Sequence, residues 1–482
     1  MKNKLKQIFL IFIIALLSLS ATGCGKKPSP VSTTNIPTNA SGKVEIFTWR
    51  ATEYEDLFRP YAGVFMESNP QVQIWYDQQG LKNYEENTTE NIAEDFKPHV
   101  WSIPVDWLPD NQKKLVPMPD GLLGENTRSV DVIKEKILPG GDNDIYDSII
   151  FDNQVYALPF TVDTLAIFHN RSLFRKALER WQQAHPRVAN SEPSEEELRV
   201  TKLLTGPPKT WNDLLELIPL LTVRNGDQIE QAAIALGNVD NIRNADDIVQ
   251  LMIYQNGGDI VSDGAEKMAV FKSSKVKENG ELFYPAREAL SLFSSFSDPT
   301  KANYTWNKNM PDSVEAFTTQ KVAMVIDYPS FRNELVEKYA NLYQNLDMVP
   351  ISPVFQVSEE DVPVNFASFS VETVTNAAKA QGKVGLAWSW ILGYMKTPNS
   401  QAITQTLLRP SPFKSITEER AKQSYGSISR QSLTARVTYK RHHVEFDALF
   451  NKMIRDVTEN GQPIDDAVNQ TNKLIDDLLK KP

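Results

Sequence analysis

Residues 44–76 read as strand, helix, strand, and that order restricts the chain to few architectures. Val44-Glu45-Ile46-Phe47-Thr48-Trp49 alternates in the manner of a β-strand. Tyr54, Leu57, Phe58, Tyr61, Phe65 and Met66 then recur at helical spacing, and Val72-Gln73-Ile74-Trp75-Tyr76 is a second strand. Such a βαβ unit predicts a parallel, doubly wound α/β sheet with helices on its faces. Residues 100–105 predict a further strand, and 156–169 form an extended apolar run. Helix starts are predicted by a capping box at Ser194-Glu195-Glu196-Glu197 and by Thr210-Trp211-Asn212-Asp213 before an apolar stretch. Residues 378–395 and 446–479 read as late helices, and no repeat of fixed period is present.

At 482 residues the chain exceeds one small core and suits two lobes. Its formal net charge is −10, and because residues 1–24 hold three lysines and no acid, the remainder carries −13. That surface repels phosphate backbones and anionic headgroups, so nucleic acid is not an expected partner. Lys2, Lys4 and Lys6 precede an apolar run over 8–19 that ends in Ala21-Thr22-Gly23-Cys24. A dozen apolar residues fall short of a bilayer core of roughly 30 Å, so the segment is an export leader. Cys24 is the only cysteine, which excludes an intrachain disulfide. Residues 25–43 are rich in Pro, Ser, Thr and Asn and read as a solvated tether reaching about 25 Å.

The residues 21–24 resemble a bacterial lipobox, which implies that Cys24 is lipidated and anchors the chain to the membrane. An ordinary secretory signal with an incidental cysteine is the other reading. Further motifs resemble the sugar-type, family 1, extracellular solute-binding proteins of bacterial ABC importers. They are Val155-Tyr156-Ala157-Leu158-Pro159-Phe160-Thr161-Val162-Asp163-Thr164, Pro208-Lys209-Thr210-Trp211-Asn212-Asp213-Leu214, Tyr254-Gln255-Asn256-Gly257-Gly258-Asp259, Lys321-Val322-Ala323-Met324-Val325-Ile326-Asp327 and Ala387-Trp388-Ser389-Trp390-Ile391. The resemblance covers nearly all of the chain after residue 43, in the family's order. It implies a two-lobe, type II periplasmic-binding-protein-like fold whose discontinuous lobes are joined by hinge segments. Lobe one is placed at 44–159 and 326–374, and lobe two at 160–325 and 375–482. Residues 172–208, punctuated by prolines, form a helical insertion beyond the usual connection. The resemblance further implies capture of a mono- or oligosaccharide by hinge closure, an ABC permease as partner, a lipid-anchored extracytoplasmic location and a monomer.

Sugars pack C–H faces on aromatic rings and offer hydroxyls to carboxylates, amides and guanidinium groups. Trp49 ends the first strand, and Asp106 and Trp107 follow the strand at 100–105, where open α/β sheets bind ligands. Each tryptophan could equally cap a core. Asp163, in the crossing motif, either accepts sugar hydroxyls or holds the hinge backbone. Asn256 and Gly257 read first as a turn, and the family resemblance places that turn at the cleft. Trp306, Tyr328, Phe369 and Arg409 complete the candidates, Arg409 being presented by Pro410-Ser411-Pro412. After Asp327 the family commonly has Gly then Trp; here Tyr328-Pro329-Ser330 stands, so Tyr328 replaces the ligand-facing aromatic or that aromatic is missing.

Other chemistry has little support. The chain contains no HExxH, GxSxG, GxGxxG or Walker-type loop. Asp142, Asp144 and Asp147 lack the glycine a calcium loop requires and read as a solvated acidic loop. His442 and His443 have no accompanying ligand cluster and are expected at the surface. Neither cofactor nor metal is expected. A surface glycan-acting enzyme with paired carboxylates, or a receptor for a non-sugar solute such as a peptide or polyamine, are the alternatives.

Overall fold

The computed structural model describes residues 36–51, 55–80, 82–137, 144–188, 191–226, 228–277, 279–339, 351–360, 362–423 and 426–481. The leader with Cys24, the first part of the tether, and Asp142 lie outside the described residues. The strands that build the two main sheets are β1 (Val44–Arg50), β2 (Val72–Gln78), β3 (Val100–Pro104), β4 (Ala157–Pro159), β5 (Ala166–His169), β6 (Val223–Asn225), β7 (Gln228–Ile234), β8 (Val322–Asp327), β9 (Ile351–Pro353) and β10 (Ser370–Val374). The helices that matter below are α1 (Glu55–Ser68), α2 (Tyr84–Ala93), α3 (Arg171–Ala184), α4 (Glu195–Leu204), α5 (Trp211–Leu221), α6 (Ala245–Gln255), α7 (Pro285–Ser295), α8 (Val384–Tyr394), α9 (His443–Thr458) and α10 (Ile464–Leu479).

The first sheet has the order β2-β1-β3-β10-β4. β1 runs parallel to β2, with Val44 opposite Val72 and Ile46 opposite Ile74, so the inward side chains of the alternating sequence coincide. β3 is also parallel to β1, whereas β10 is antiparallel to both β3 and β4. The second sheet has the order β9-β5-β8-β7-β6, with β8 parallel to β7 and antiparallel to β5. Each sheet carries its own hydrophobic core.

The partition of the chain between these cores differs from the sequence expectation. The first core draws on residues 44–162 and 367–437, the second on 165–366 and 446–479. Residues 326–339 and 351–366 therefore join lobe two, through Ile326, Phe331, Leu335 and Phe355, and residues 375–423 and 426–437 join lobe one. Helix α8 explains the second difference. Its sequence is apolar on all sides, so it needs cover all round. It obtains that cover against lobe one: Trp390 donates to Thr48 Oγ1 at 2.9 Å and meets Phe65 edge-on, and Trp388 donates to the Val116 carbonyl at 3.2 Å. A fully buried Arg50–Glu372 pair ties β1 to β10 in the same core, with the guanidinium between the rings of Phe58 and Phe160.

The chain crosses between the cores three times, near 160–165, 366–369 and 437–443, and the crossings lie side by side. Asn365 and Phe366 pair with Ala435 and Arg436, Thr164 bridges Ala367, and Ser368 N donates to the Asp163 carbonyl at 3.1 Å. Gln431 fastens the bundle by donating to Thr164 Oγ1 and the Leu165 carbonyl while accepting from Val354 N.

The insertion after the first crossing forms α3 and α4, which pack on lobe two. Asn170 caps α3, and Ser194 caps α4 by accepting from Glu197 N at 3.1 Å. The reciprocal capping box occurs at α5, where Thr210 Oγ1 accepts from Asp213 N and Asp213 accepts from Thr210 N, both at 3.1 Å.

Candidate functional site

A cleft of about 220 Å³ lies between the lobes. Its floor is formed by the crossings: Phe366, Ala367 and Ser368 from the second, Val437, Thr438 and Lys440 from the third. Val105 and Asp106 form the lobe-one wall, just beyond the carboxyl end of β3. Asn244, Asp246, Asp247 and Asp447 form the lobe-two wall, at the start of α6 and the second turn of α9. Strand ends and helix starts thus converge here, as the geometry of open α/β sheets favours. A second cavity adjoins it, sharing Asp106 and Lys440 and adding Tyr254, Tyr439, Asp147 and Arg436.

Lys440 organises the charges. Only 4% exposed, its ammonium lies 2.8 Å from Asp447, 3.8 Å from Asp106 and 4.0 Å from Asp247. Burial alone would lower its pKa, but the carboxylates, Asp247 foremost, overrule burial and hold the ammonium above the lysine range. Three of the carboxyl groups are raised as well, which for them disfavours the charged form. Burial first, then the charge of neighbouring Asp246, pushes Asp247 up to about 8 against the pull of Lys440. Burial raises Asp106 and Asp246 too. Four carboxyl groups around one ammonium leave the cleft with an excess of acceptors. Asp106 Oδ1 is buried without a hydrogen-bond partner among the described residues.

A supporting network fixes the lobe-two wall. Tyr328 donates its hydroxyl to Asp247 Oδ2 at 2.7 Å, and Asn244 donates to Asp327 Oδ1 at 3.0 Å. Asp327, at the end of β8, is pushed up to about 6 by burial despite Arg243 at 3.4 Å. On the floor, the hydroxyls of Tyr254 and Thr438 meet at 2.9 Å.

The residues singled out from sequence fall into three groups. Asp106 lines both cavities, and Tyr328 holds Asp247 from behind. Asp163 and Arg409 come together as a buried ion pair, Arg409 Nε lying 2.7 Å from Asp163 Oδ2. The pair stands at the first crossing, with Asp163 also accepting from Thr161 Oγ1, so it ties this crossing to the Arg409 segment of lobe one. The remaining residues stand apart from the cavity linings. Trp49 and Phe369 are buried in the first core, and Trp306 is fully buried in the second, donating to Asn241 Oδ1 at 2.9 Å. Asn256 and Gly257 form the turn that ends α6: Gly257 has φ +74°, and Asn256 donates to the Pro285 carbonyl. Trp107 stacks on His443, ring centroids 5.4 Å apart.

His443 corrects the expectation of a surface residue. It is 8% exposed, with Nδ1 2.7 Å from Asp110 Oδ2 and Nε2 3.2 Å from Glu85 Oε2. Burial lowers its pKa, yet the bonds from Asp110 and Glu85 prevail and push it up to about 10. Sequence reasoning also missed Asp246, Asp247, Lys440 and Asp447. The pair Asp246-Asp247 had one local signal, acidic residues in the first turn of a helix, whereas Lys440 had none. Among the described residues, no group of three His, Cys, Asp or Glu side chains is arranged to hold a metal ion, and no helix is long and apolar enough to cross a membrane.

Several solved structures share this architecture. The GacH receptor of Streptomyces glaucescens, known unliganded and with acarbose, superposes with a TM-score of 0.64 at 15% identity, covering 91% of this chain and 98% of that one. An ABC transporter solute-binding protein of Thermotoga lettingae bound to α-D-tagatose gives 0.65 at 14% identity over 90% and 99%. The sugar-binding protein MalE of Xanthomonas citri gives 0.63 at 16% identity over 90% and 97%. At such identities the likeness establishes the two-lobe fold. No curated protein matches the chain. The sequence signature of the bacterial extracellular solute-binding proteins, however, matches residues 51–401, well over half of the chain. With its two lobes, three crossings and inter-lobe cleft, the chain belongs to the bacterial extracellular solute-binding protein family.

Proposed function

We propose that this protein is the solute-capturing component of an ABC importer, holding a mono- or oligosaccharide between its lobes and presenting it unaltered to the permease. The observation that carries this reading is the cleft lining, in which Asp106 of lobe one, Asp247 and Asp447 of lobe two, and Thr438 and Lys440 of a crossing face one space. A solute touching both walls does so only when the lobes are closed, so binding favours the closed form. Carboxylates and amide groups accept and donate to sugar hydroxyls, and Phe366, Tyr254 and Tyr439 supply rings. The structural relatives named above include proteins crystallised with acarbose and tagatose, which supports the carbohydrate class.

Export through the leader, lipidation of Cys24 and a tether of about 25 Å would hold the protein, as a monomer, within reach of a permease in the same membrane. The excess of carboxylates over the single ammonium favours one further reading, a cationic solute such as a polyamine.

Thermal-shift screening followed by calorimetry, with maltotriose, mannobiose, tagatose, spermidine and short peptides, separates these readings. A carbohydrate that binds saturably and survives incubation unchanged is the expected result. Binding of spermidine or peptide with no carbohydrate response refutes the carbohydrate class, and turnover of chromogenic glycosides refutes a pure binding role.

A further inference from the structure

Asp110 stands in the short segment after β3, on lobe one, and its carboxylate reaches the head of α9 on lobe two. Oδ1 accepts from His442 N at 2.6 Å, and Oδ2 accepts from His443 N at 3.0 Å and faces His443 Nδ1 at 2.7 Å. Helix α9 has no side-chain cap of its own: His442, at its N-cap position, has φ +53° and makes no capping bond. Asp110 therefore performs from the other lobe the task that Ser, Thr or Asp normally performs locally, satisfying amide groups that a helix start leaves open.

The imidazole is gripped on its second nitrogen as well. Glu85 Oε2 lies 3.2 Å from Nε2, and Asn111 keeps Glu85 in place by donating to Oε1 at 2.6 Å. Trp107 stacks on the ring at an interplanar angle of 26°. Both ring nitrogens face carboxylates, an arrangement that suits the doubly protonated, charged imidazole. Glu85, Trp107, Asp110 and His443 line neither cavity.

We propose that these residues form an inter-lobe latch in which Asp110 and Glu85 of lobe one grip His443 of lobe two, closing the protein before any solute arrives. Opening would strip α9 of its cap and leave His443 between lobes without its carboxylate partners. The latch biases the hinge toward closure and sets solute affinity without touching the solute, since a ligand gains only the difference between the two states. This inference does not depend on which solute binds.

Small-angle X-ray scattering of the full mature chain, purified without added solute, tests it. The wild-type profile is expected to fit the closed coordinates. Asp110→Asn and His443→Gln, which keep side-chain size, are expected to shift the radius of gyration upward and spoil that fit, with circular dichroism unchanged. Trp107→Leu is expected to give a smaller shift in the same direction. A wild-type profile that already requires separated lobes overturns the latch, and so do folded Asp110→Asn and Glu85→Gln proteins that keep the wild-type profile.

Discussion

Replacing Lys440 by Met tests whether the cleft charges are balanced as described. The methionine keeps the apolar stem and removes the ammonium, which is 4% exposed and 2.8 Å from Asp447 and 3.8 Å from Asp106. Breaking a buried ionic cluster from one side costs about 3–5 kcal/mol, because the charges left behind lose both solvent and partner. For a lobe of this size each kcal/mol lowers the melting temperature by about 2–4 °C, so the variant should melt roughly 6–20 °C lower near pH 9. The sign of the pH dependence follows from Asp247, which burial and Asp246 already hold at about 8. A carboxyl group whose pKa is raised on folding costs nothing below its unfolded value near 4, costs progressively more as pH rises from there to its folded value, and costs a constant amount above it. Without the ammonium Asp247 is raised further, so the gap between wild type and Lys440→Met should be smaller at pH 5 than at pH 9, where the wild-type carboxylate has ionised. Differential scanning fluorimetry at the two pH values measures it. Equal gaps at both, or a loss under about 2 °C at pH 9, would refute this charge balance.

Three further outcomes follow from other parts of the fold. Glu372→Gln removes the charge facing the buried Arg50 guanidinium and weakens the acceptor for Tyr394 and Ser102; a loss of about 3–5 kcal/mol in chemical denaturation of lobe one is expected. Thr210→Ala removes half of the capping box of α5 and should cost about 1 kcal/mol, seen as a melting shift of about 2–4 °C. His99 is held neutral, at about 3, by burial and the nearby Lys383 ammonium, and its Nδ1 accepts from Phe47 N. The unfolded chain takes up a proton below pH 6.5 that the fold refuses, so stability falls with pH by up to about 1.4 kcal/mol per unit between 6.5 and 4. His99→Asn should flatten that acid limb relative to wild type in melting curves taken from pH 7 to 4.

By itself the sequence determined the local elements and the family. The alternation in β1 and β2, the helical spacing in α1 and the Thr210 capping box are written in neighbouring residues, because backbone geometry is decided over a few positions. The ordered motifs likewise pointed to two lobes. Only the tertiary structure decided which pieces share a core and which side chains share the cleft. Trp49, Trp306 and Phe369 look like sugar platforms in sequence, yet large rings fill cores as readily as they wall a cleft, and here they fill cores. Asp163 and Arg409, chosen separately, find each other across 246 positions. Lys440, Asp106 and Asp247 meet in the same way, as do His443, Asp110 and Glu85. Charge pairing acts through space, and distance along the chain carries no trace of it until the three crossings bring the lobes together.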